Sequence, residues 1–220
     1  MKWLLVNMLL LGMILPAEGV EHRPHGAVPP TGEDGFKLVR ARNGINLYER
    51  WVEIQPGLKV RELKAEFTTD AGVESLVALL KDATRAHRWM QGMEEFKVVE
   101  NQGATAWTSY IRYSIPWPLE DQDILLKYQS AGVKGLQTVS FQSTTHATYP
   151  EKSGVTRMKG VSGSWQFQPR SSGQTQVTYY IITKNKSSYP RWITDPIVQD
   201  NLLDTMDAFI EQAEELHAQR

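Results

Sequence analysis

The side chains best suited to catalysis are few in this sequence and poorly arranged for it. Its five histidines, His22, His25, His87, His146 and His217, are scattered, and none belongs to a His-Glu-x-x-His pair that would hold zinc from one helix face. His22 and His25 lie close together, but nothing nearby completes a ligand set. Cysteine is absent, which excludes disulfides, thiolate catalysis, cysteine zinc sites and iron–sulfur clusters. Gly160-Val161-Ser162-Gly163-Ser164 follows a serine nucleophile elbow for four positions and fails at the fifth, where glycine is required. There is no glycine-rich phosphate loop. His87 and His146 read as packing or turn residues rather than bases. No catalytic residue, metal or cofactor is expected.

What remains is the chemistry of aromatic rings, since the chain carries seven Trp and eight Tyr. A ring with a hydroxyl or indole N–H packs against apolar matter and still fixes one polar group. Tyr113, Tyr128, Trp165, Tyr179 and Tyr180 stand in strand-like runs, where they can line a greasy pocket or simply pack. Met158 and Met206 suit a pocket that accepts varied shapes, and equally suit core filling. The most distinctive stretch is Pro116-Trp117-Pro118-Leu119. Two prolines fix the backbone and remove two N–H donors, so this loop cannot join a sheet and must project. Trp117 and Leu119 on such a protrusion can cover a cavity mouth; burying one such side chain is worth about 1.5–3 kcal/mol, enough to hold a gate shut and still let it open. The alternative is an ordinary turn whose Trp plugs the core. Arg112, with polar neighbours, is expected to face water or a carboxylate such as Glu120.

Composition bounds the scaffold that must hold these residues. A chain of 220 residues can bury one sizeable core, hiding roughly 70% of its unfolded surface. The 41% hydrophobic and 22% charged shares are ordinary for a globular protein. A formal net charge of −1 argues against a general nucleic-acid binder, which needs a basic surplus. Ile45 to Trp51 and Lys59 to Phe67 read as strands around the turn Gln55-Pro56-Gly57, and Leu63, Ala65 and Phe67 form an inward face. Phe36 to Val39 is short and fits helix or strand. Asp70 is placed to cap a helix in which Val73, Leu76, Val77 and Leu80 repeat at three and four, ending near Asp82 to Ala86.

From Lys97 to Thr183, turn residues recur every eight to twelve positions, the mark of an antiparallel meander. The strands read as Trp107 to Ile115, Ile124 to Gln129, Thr138 to Thr145, Val155 to Val161, Ser164 to Phe167 and Thr175 to Thr183. A five-residue turn is expected at Ala131 to Gly135. Alternation puts Trp107, Ser109, Ile111, Tyr113 and Ile115 on a dry face and Thr108, Tyr110, Arg112 and Ser114 on a wet one. Asp195-Pro196 opens a final helix with a cap and a proline in the first turn. Val198, Leu202, Met206, Phe209 and Ala213 form its apolar stripe, widened by Ile197 and Ile210. Asp200, Asp204, Asp207, Glu211 and Glu214 form its solvent side.

The N-terminus reads as an address. Lys2 precedes an apolar run from Trp3 to Leu15 that is shorter than the ~20 residues a membrane-crossing helix needs. Pro16 and the small residues of Ala17-Glu18-Gly19 follow, so residues 1–19 are expected to be a cleaved secretory signal, with an uncleaved anchor as the alternative. Residues 20–35, rich in Pro, Gly and His, read as a flexible linker.

The order of these segments, and above all Tyr113-Ser114-Ile115-Pro116-Trp117-Pro118-Leu119-Glu120-Asp121-Gln122-Asp123, resembles the START domain, the lipid-transfer domain related to steroidogenic acute regulatory protein. Also similar are Leu47-Tyr48-Glu49-Arg50, His87-Arg88-Trp89, His146 with Tyr149-Pro150, Gly154-Val155-Thr156-Arg157, Trp165 before Pro169, and Tyr189-Pro190-Arg191-Trp192 ahead of the last helix. Two departures stand out. Gln122 replaces the usual Arg of an Arg-Asp pair, which threatens an ion pair beside the lid loop, and Lys184-Asn185-Lys186-Ser187-Ser188 replaces an acidic, glycine-rich segment. The resemblance implies an α+β helix-grip fold over residues 36–217, in which a curved antiparallel sheet wraps around a long C-terminal helix and leaves an internal apolar cavity. It further implies a non-catalytic monomer that binds a lipid, sterol or other apolar small molecule and touches membranes transiently. Tyr113, Trp117, Pro118, Leu119, Tyr128, Met158, Trp165, Tyr179, Trp192, Val198, Leu202 and Met206 are then the expected cavity and lid residues. An exported carrier is the leading reading. A cyclase- or aromatase-like helix-grip enzyme, or an interaction module filled by its own side chains, are the alternatives.

Overall fold

Turn chemistry sets the strand boundaries. In the computed structural model, which describes residues 35–115, 120–184 and 190–219, Asn43-Gly44 and Lys134-Gly135 all adopt positive φ, between 49° and 82°. Such pairs make two-residue hairpins whose twist matches that of the strands they join. They link β1 (Lys37–Arg42) to β2 (Ile45–Gln55), and β6 (Asp121–Val133) to β7 (Leu136–Ser143). The second case corrects the broad turn expected at Ala131 to Gly135. Only Lys134 and Gly135 leave the ladder, and Val133 still pairs with Leu136. Pro56-Gly57 similarly links β2 to β3 (Leu58–Thr69), Gly57 supplying the positive φ.

The remaining strands are β4 (Met93–Asn101), β5 (Ala106–Tyr113), β8 (Val155–Arg157), β9 (Val161–Pro169) and β10 (Thr175–Thr183). The sheet order is β1-β2-β3-β10-β9-β7-β6-β5-β4, antiparallel along the whole path. The C-terminal meander therefore closes onto the N-terminal hairpins through β10 and β3. β8 pairs with β6 in parallel, off that path. The single strand expected from Val155 to Val161 is thus two pieces. Gly160, at φ 69°, turns the chain between them, and its carbonyl accepts the Lys184 N–H at 3.0 Å.

One face of this curved sheet grips α3 (Arg191–Ala218), the arrangement expected of the helix-grip class. Leu203, Met206, Phe209 and Ala213 are fully buried against Leu47, Ala65, Phe67, Trp165 and Val177 of the sheet. Leu203 stands in the centre of the stripe where Leu202 was expected; Leu202 and Val198 lie at its half-buried margin. The helix also begins a turn earlier than Asp195-Pro196 suggests. Pro190 occupies the N-cap position and Pro196 lies inside the helix. Proline cannot donate to the carbonyl four residues back, so side-chain contacts must hold this extra turn. The acidic side of α3 is not purely solvated. Asp200 pairs with Arg40 at 2.6 Å, and Asp204 and Asp207 pair with Arg42 at 2.6 and 3.0 Å, which ties the β1–β2 hairpin to the helix.

Two short helices, α1 (Val73–Leu79) and α2 (Ala86–Trp89), plug the end of the layer near the C-terminus of α3. Gly72, not Asp70, is the N-cap of α1. The Asp70 carboxylate instead accepts Gln174, while its N–H donates to Glu214 of α3. The outer face of β5 also departs from expectation. Tyr110 and Thr108 are buried rather than wet. The chain after β7 folds over them, placing Tyr149 4.6 Å from the Tyr110 ring and His146 3.3 Å from Glu100.

Candidate ligand site

The concave face carries a continuous chain of rings. Trp89 meets Phe209 edge-on at 5.0 Å, Phe209 stacks on Trp165 at 4.6 Å, and Trp165 lies 4.4 Å from Tyr179. Phe141 then bridges Tyr179 and Tyr128 at 6.0 and 5.8 Å, and Tyr128 stacks on Trp107 at 4.8 Å. Strand register explains the chain: Trp165 sits opposite both Val139 and Tyr179, and Tyr128 sits between Trp107 and Phe141. Gly163, between Phe141 and Ile181 in the ladder, makes room for it. A Cβ there would stand 2.0 Å from the Tyr180 carbonyl oxygen and 2.5 Å from the Phe141 ring. Trp165 and Met206, 4% and 1% exposed, form the solid floor of the layer.

Above that floor, toward the N-terminal end of α3, the tyrosines change character. Burial alone pushes the Tyr113 phenol up to about 12, and the ring nevertheless keeps accessible surface. Tyr128 and Tyr179 are also pushed up, first by burial. Tyr128 further senses Tyr113 and Tyr179, and Tyr179 senses Tyr113, so the three phenols share one region. No hydrogen bond contributes to any of the three shifts. Tyr113 thus combines desolvation with surface of its own, whereas Tyr128 and Tyr179, 5% and 8% exposed, are buried. Ile181, Val198 and Leu202 are half-buried apolar neighbours of the same core, and Met158 and Val161 are buried at 7% each.

The expected lid residues Trp117, Pro118 and Leu119 lie outside the described residues, but their anchors do not. Asp121 accepts the Ile115 N–H at 3.0 Å and pairs with Arg112 at 2.5 Å. That guanidinium holds the Asp121 carboxyl below its ordinary range, with the backbone N–H adding to the effect. Arg112 thus takes Asp121, and more distantly Glu94, rather than Glu120, which accepts the Thr156 hydroxyl. Asp123 and Arg157, 1% and 4% exposed, form a two-pronged pair at 2.5 and 2.9 Å. Gln122 therefore does not cost this region its ion pairs. Gln122 itself is fully buried on the inner face, opposite Tyr113.

A charged rim closes the same end of the layer. Arg61 contacts Asp195 at 2.5 Å and Glu49 at 3.6 Å; Arg191 contacts Asp195 at 2.6 Å and Glu49 at 2.9 Å. These contacts hold the first turn of α3 that Pro196 cannot secure. Sequence reasoning missed the rim, although strand parity carried its signal: Glu49 and Arg61 share the inner face with Leu47 and Leu63. Trp192, expected at the cavity, is 79% exposed on that first turn, and Trp51 nearby is 50% exposed. Tyr180 lies on the opposite sheet face, 6.0 Å from Phe36. At the other end of the molecule, a separate surface cleft of about 500 Å³ runs between α1 and the β6–β7 hairpin, lined by Val77, Lys81, Thr105, Ser130 and Gln137 among others.

A sheet gripping one long helix over an aromatic interior defines a helix-grip protein. The family model for the START domain matches residues 38–217, and the chain belongs to that family. It is 26% identical over 181 residues to an uncharacterized protein of Pseudomonas aeruginosa, covering 82% of this chain and 88% of that one. It is 23% identical to the phosphatidylcholine transfer protein of Bos taurus, over 75% of this chain and 78% of the relative. The fold superposes on the STAR-related lipid transfer protein fragment from Xanthomonas axonopodis with a TM-score of 0.71 at 24% identity, covering 82% and 99% of the two chains. Human START domain-containing protein 10 superposes at 0.69 with 17% identity, over 84% and 75%.

Proposed function

We propose that this protein is an exported, non-catalytic carrier that holds a lipid or other apolar molecule between its sheet and α3. The observation that carries the reading is the trio Tyr113, Tyr128 and Tyr179, phenols desolvated in one region with no hydrogen bond contributing to their environment, the half-buried Tyr113 lying toward its surface. Buried polar groups are ordinarily satisfied, so a set of them in one region suits a guest that supplies acceptors. Membership of a family whose relatives are named for lipid transfer supports the same reading. In this reading residues 1–19 are an export signal, residues 20–35 a linker, and Trp117 and Leu119 belong to a gate that opens on meeting a membrane. None of the described helices is long and apolar enough to cross a membrane. The test is mass spectrometry of the natively purified protein, with uptake from labelled vesicles as a second measurement. A ligand in the first and saturable uptake in the second are expected; neither appearing defeats the carrier reading.

A further inference from the structure

Charge distribution on the concave face narrows the class of guest. Among the described residues the polar atoms inside it are neutral: the hydroxyls of Tyr113, Tyr128 and Tyr179, the Gln122 amide, Ser109 Oγ and Trp107 Nε1, the last two fully buried without a hydrogen-bond partner, while the Lys81 ammonium over the Trp107 ring is taken by the Gly103 carbonyl. The charged side chains that reach this face near the mouth, among the described residues, are Glu49, Arg61, Arg191 and Asp195, and each is engaged by the others. The deep tyrosines stay protonated at neutral pH, because burial raises all three. Phenols held in that state offer hydrogen-bond donors and no compensating charge.

A phosphate or a carboxylate drawn into this region would lose its hydration and find no free cation among the described residues, the situation in which burial of charge is most costly. An ester, ketone, ether or hydroxyl oxygen loses far less on entry and accepts from the waiting phenols. We infer that the guest is an uncharged lipid whose polar atoms are such oxygens, seated with them against Tyr113, Tyr128 and Tyr179, and that phospholipids are discriminated against. This rests on the carrier reading above and goes beyond it, since a relative is named for transfer of a zwitterionic phospholipid.

The test offers the full-length protein, stripped of bound lipid, to vesicles containing equal amounts of dioleoylglycerol, dioleoylphosphatidylcholine and dioleoylphosphatidylglycerol. The protein is re-isolated and its lipid extracted for mass spectrometry. Dioleoylglycerol enriched roughly tenfold or more over either phospholipid is expected, a small part of the cost of stripping hydration from an unpaired phosphate. Tyr113→Phe and Tyr179→Phe, which keep the ring volume, should each lower the amount of dioleoylglycerol retained several-fold while leaving the circular dichroism spectrum unchanged. A phospholipid retained at or above its vesicle share overturns the inference and leaves the carrier reading standing. Unchanged dioleoylglycerol retention in both Phe variants overturns the assignment of the tyrosines as the recognising groups. No retained lipid of any kind overturns both readings.

Discussion

Removing the Asp123 carboxylate should damage this protein more than removing Asp123 and Arg157 together. The pair is nearly inaccessible, with side chains 1% and 4% exposed, and the guanidinium makes two contacts to the carboxylate at 2.5 and 2.9 Å. Asp123→Ala leaves a buried cation with the Tyr149 and Pro150 carbonyls, at 3.2 and 3.4 Å, and the more distant charge of Glu151 to stabilise it. Breaking a buried pair in this way costs about 3–5 kcal/mol, and the two remaining carbonyls place this case near 3. Against a typical stability of about 5–15 kcal/mol, that is a large loss. Asp123→Leu with Arg157→Met removes both charges and fills their volume, so it should lie within about 1 kcal/mol of the parent. Equilibrium urea unfolding followed by circular dichroism measures all three proteins. A double variant as unstable as Asp123→Ala would refute the argument, because the pair itself would then be the stabilising element. Function should follow stability here. The Asp123 carbonyl accepts the Met158 N–H at 2.8 Å, so loosening this strand loosens the wall of the proposed site.

Alkaline pH should destabilise the protein through its interior tyrosines. Their folded-state values are raised above the ordinary value of about 10, so their contribution is intact below that pH and is lost as pH rises, because the unfolded chain ionises first. Three such groups give a loss of about 4 kcal/mol between pH 9 and 11, which urea midpoints at the two values would detect; equal midpoints would contradict the buried assignment. Gly163→Ala should lower stability by about 3 kcal/mol, since its new methyl would overlap the Tyr180 carbonyl and the Phe141 ring; an unchanged thermal midpoint would show that β9 yields freely. Trp165→Ala should cost about 3–5 kcal/mol, because the ring joins Phe209 to Tyr179, and chemical denaturation measures it. Arg42→Ala should cost only about 0.5–1 kcal/mol, less in high salt, because its pairs with Asp204 and Asp207 are partly exposed.

Much of the scaffold was legible because local rules and tertiary needs agree there. β10 runs from Thr175 to Thr183, as alternation and its flanking turns indicate, and the stripe containing Met206, Phe209 and Ala213 faces the core as its spacing requires. Trp165, Tyr128 and Tyr179 were legible as strand rings able to line a pocket or to pack, but so was Tyr180, which lies on the opposite face against Phe36. Tyr110 was not. Parity puts it on the outer face, and only the return of the distant Tyr149 segment over that face buries it. Trp192 failed for the reverse reason: a large aromatic suggests burial, yet the first turn of α3 carries it outward.

Period, turn residues and the Pro-Trp-Pro-Leu stretch were enough, by themselves, to determine the strands, the closing helix and the family resemblance. Such features are local: each depends on residues a few positions apart. Tertiary structure alone decided which charges meet. Glu49, Arg61, Arg191 and Asp195 come from three separate elements, and Asp123 finds Arg157 across 34 positions of sequence. Coulomb attraction and desolvation depend on distance in space and on what surrounds a group, and neither is written into a chain until it folds.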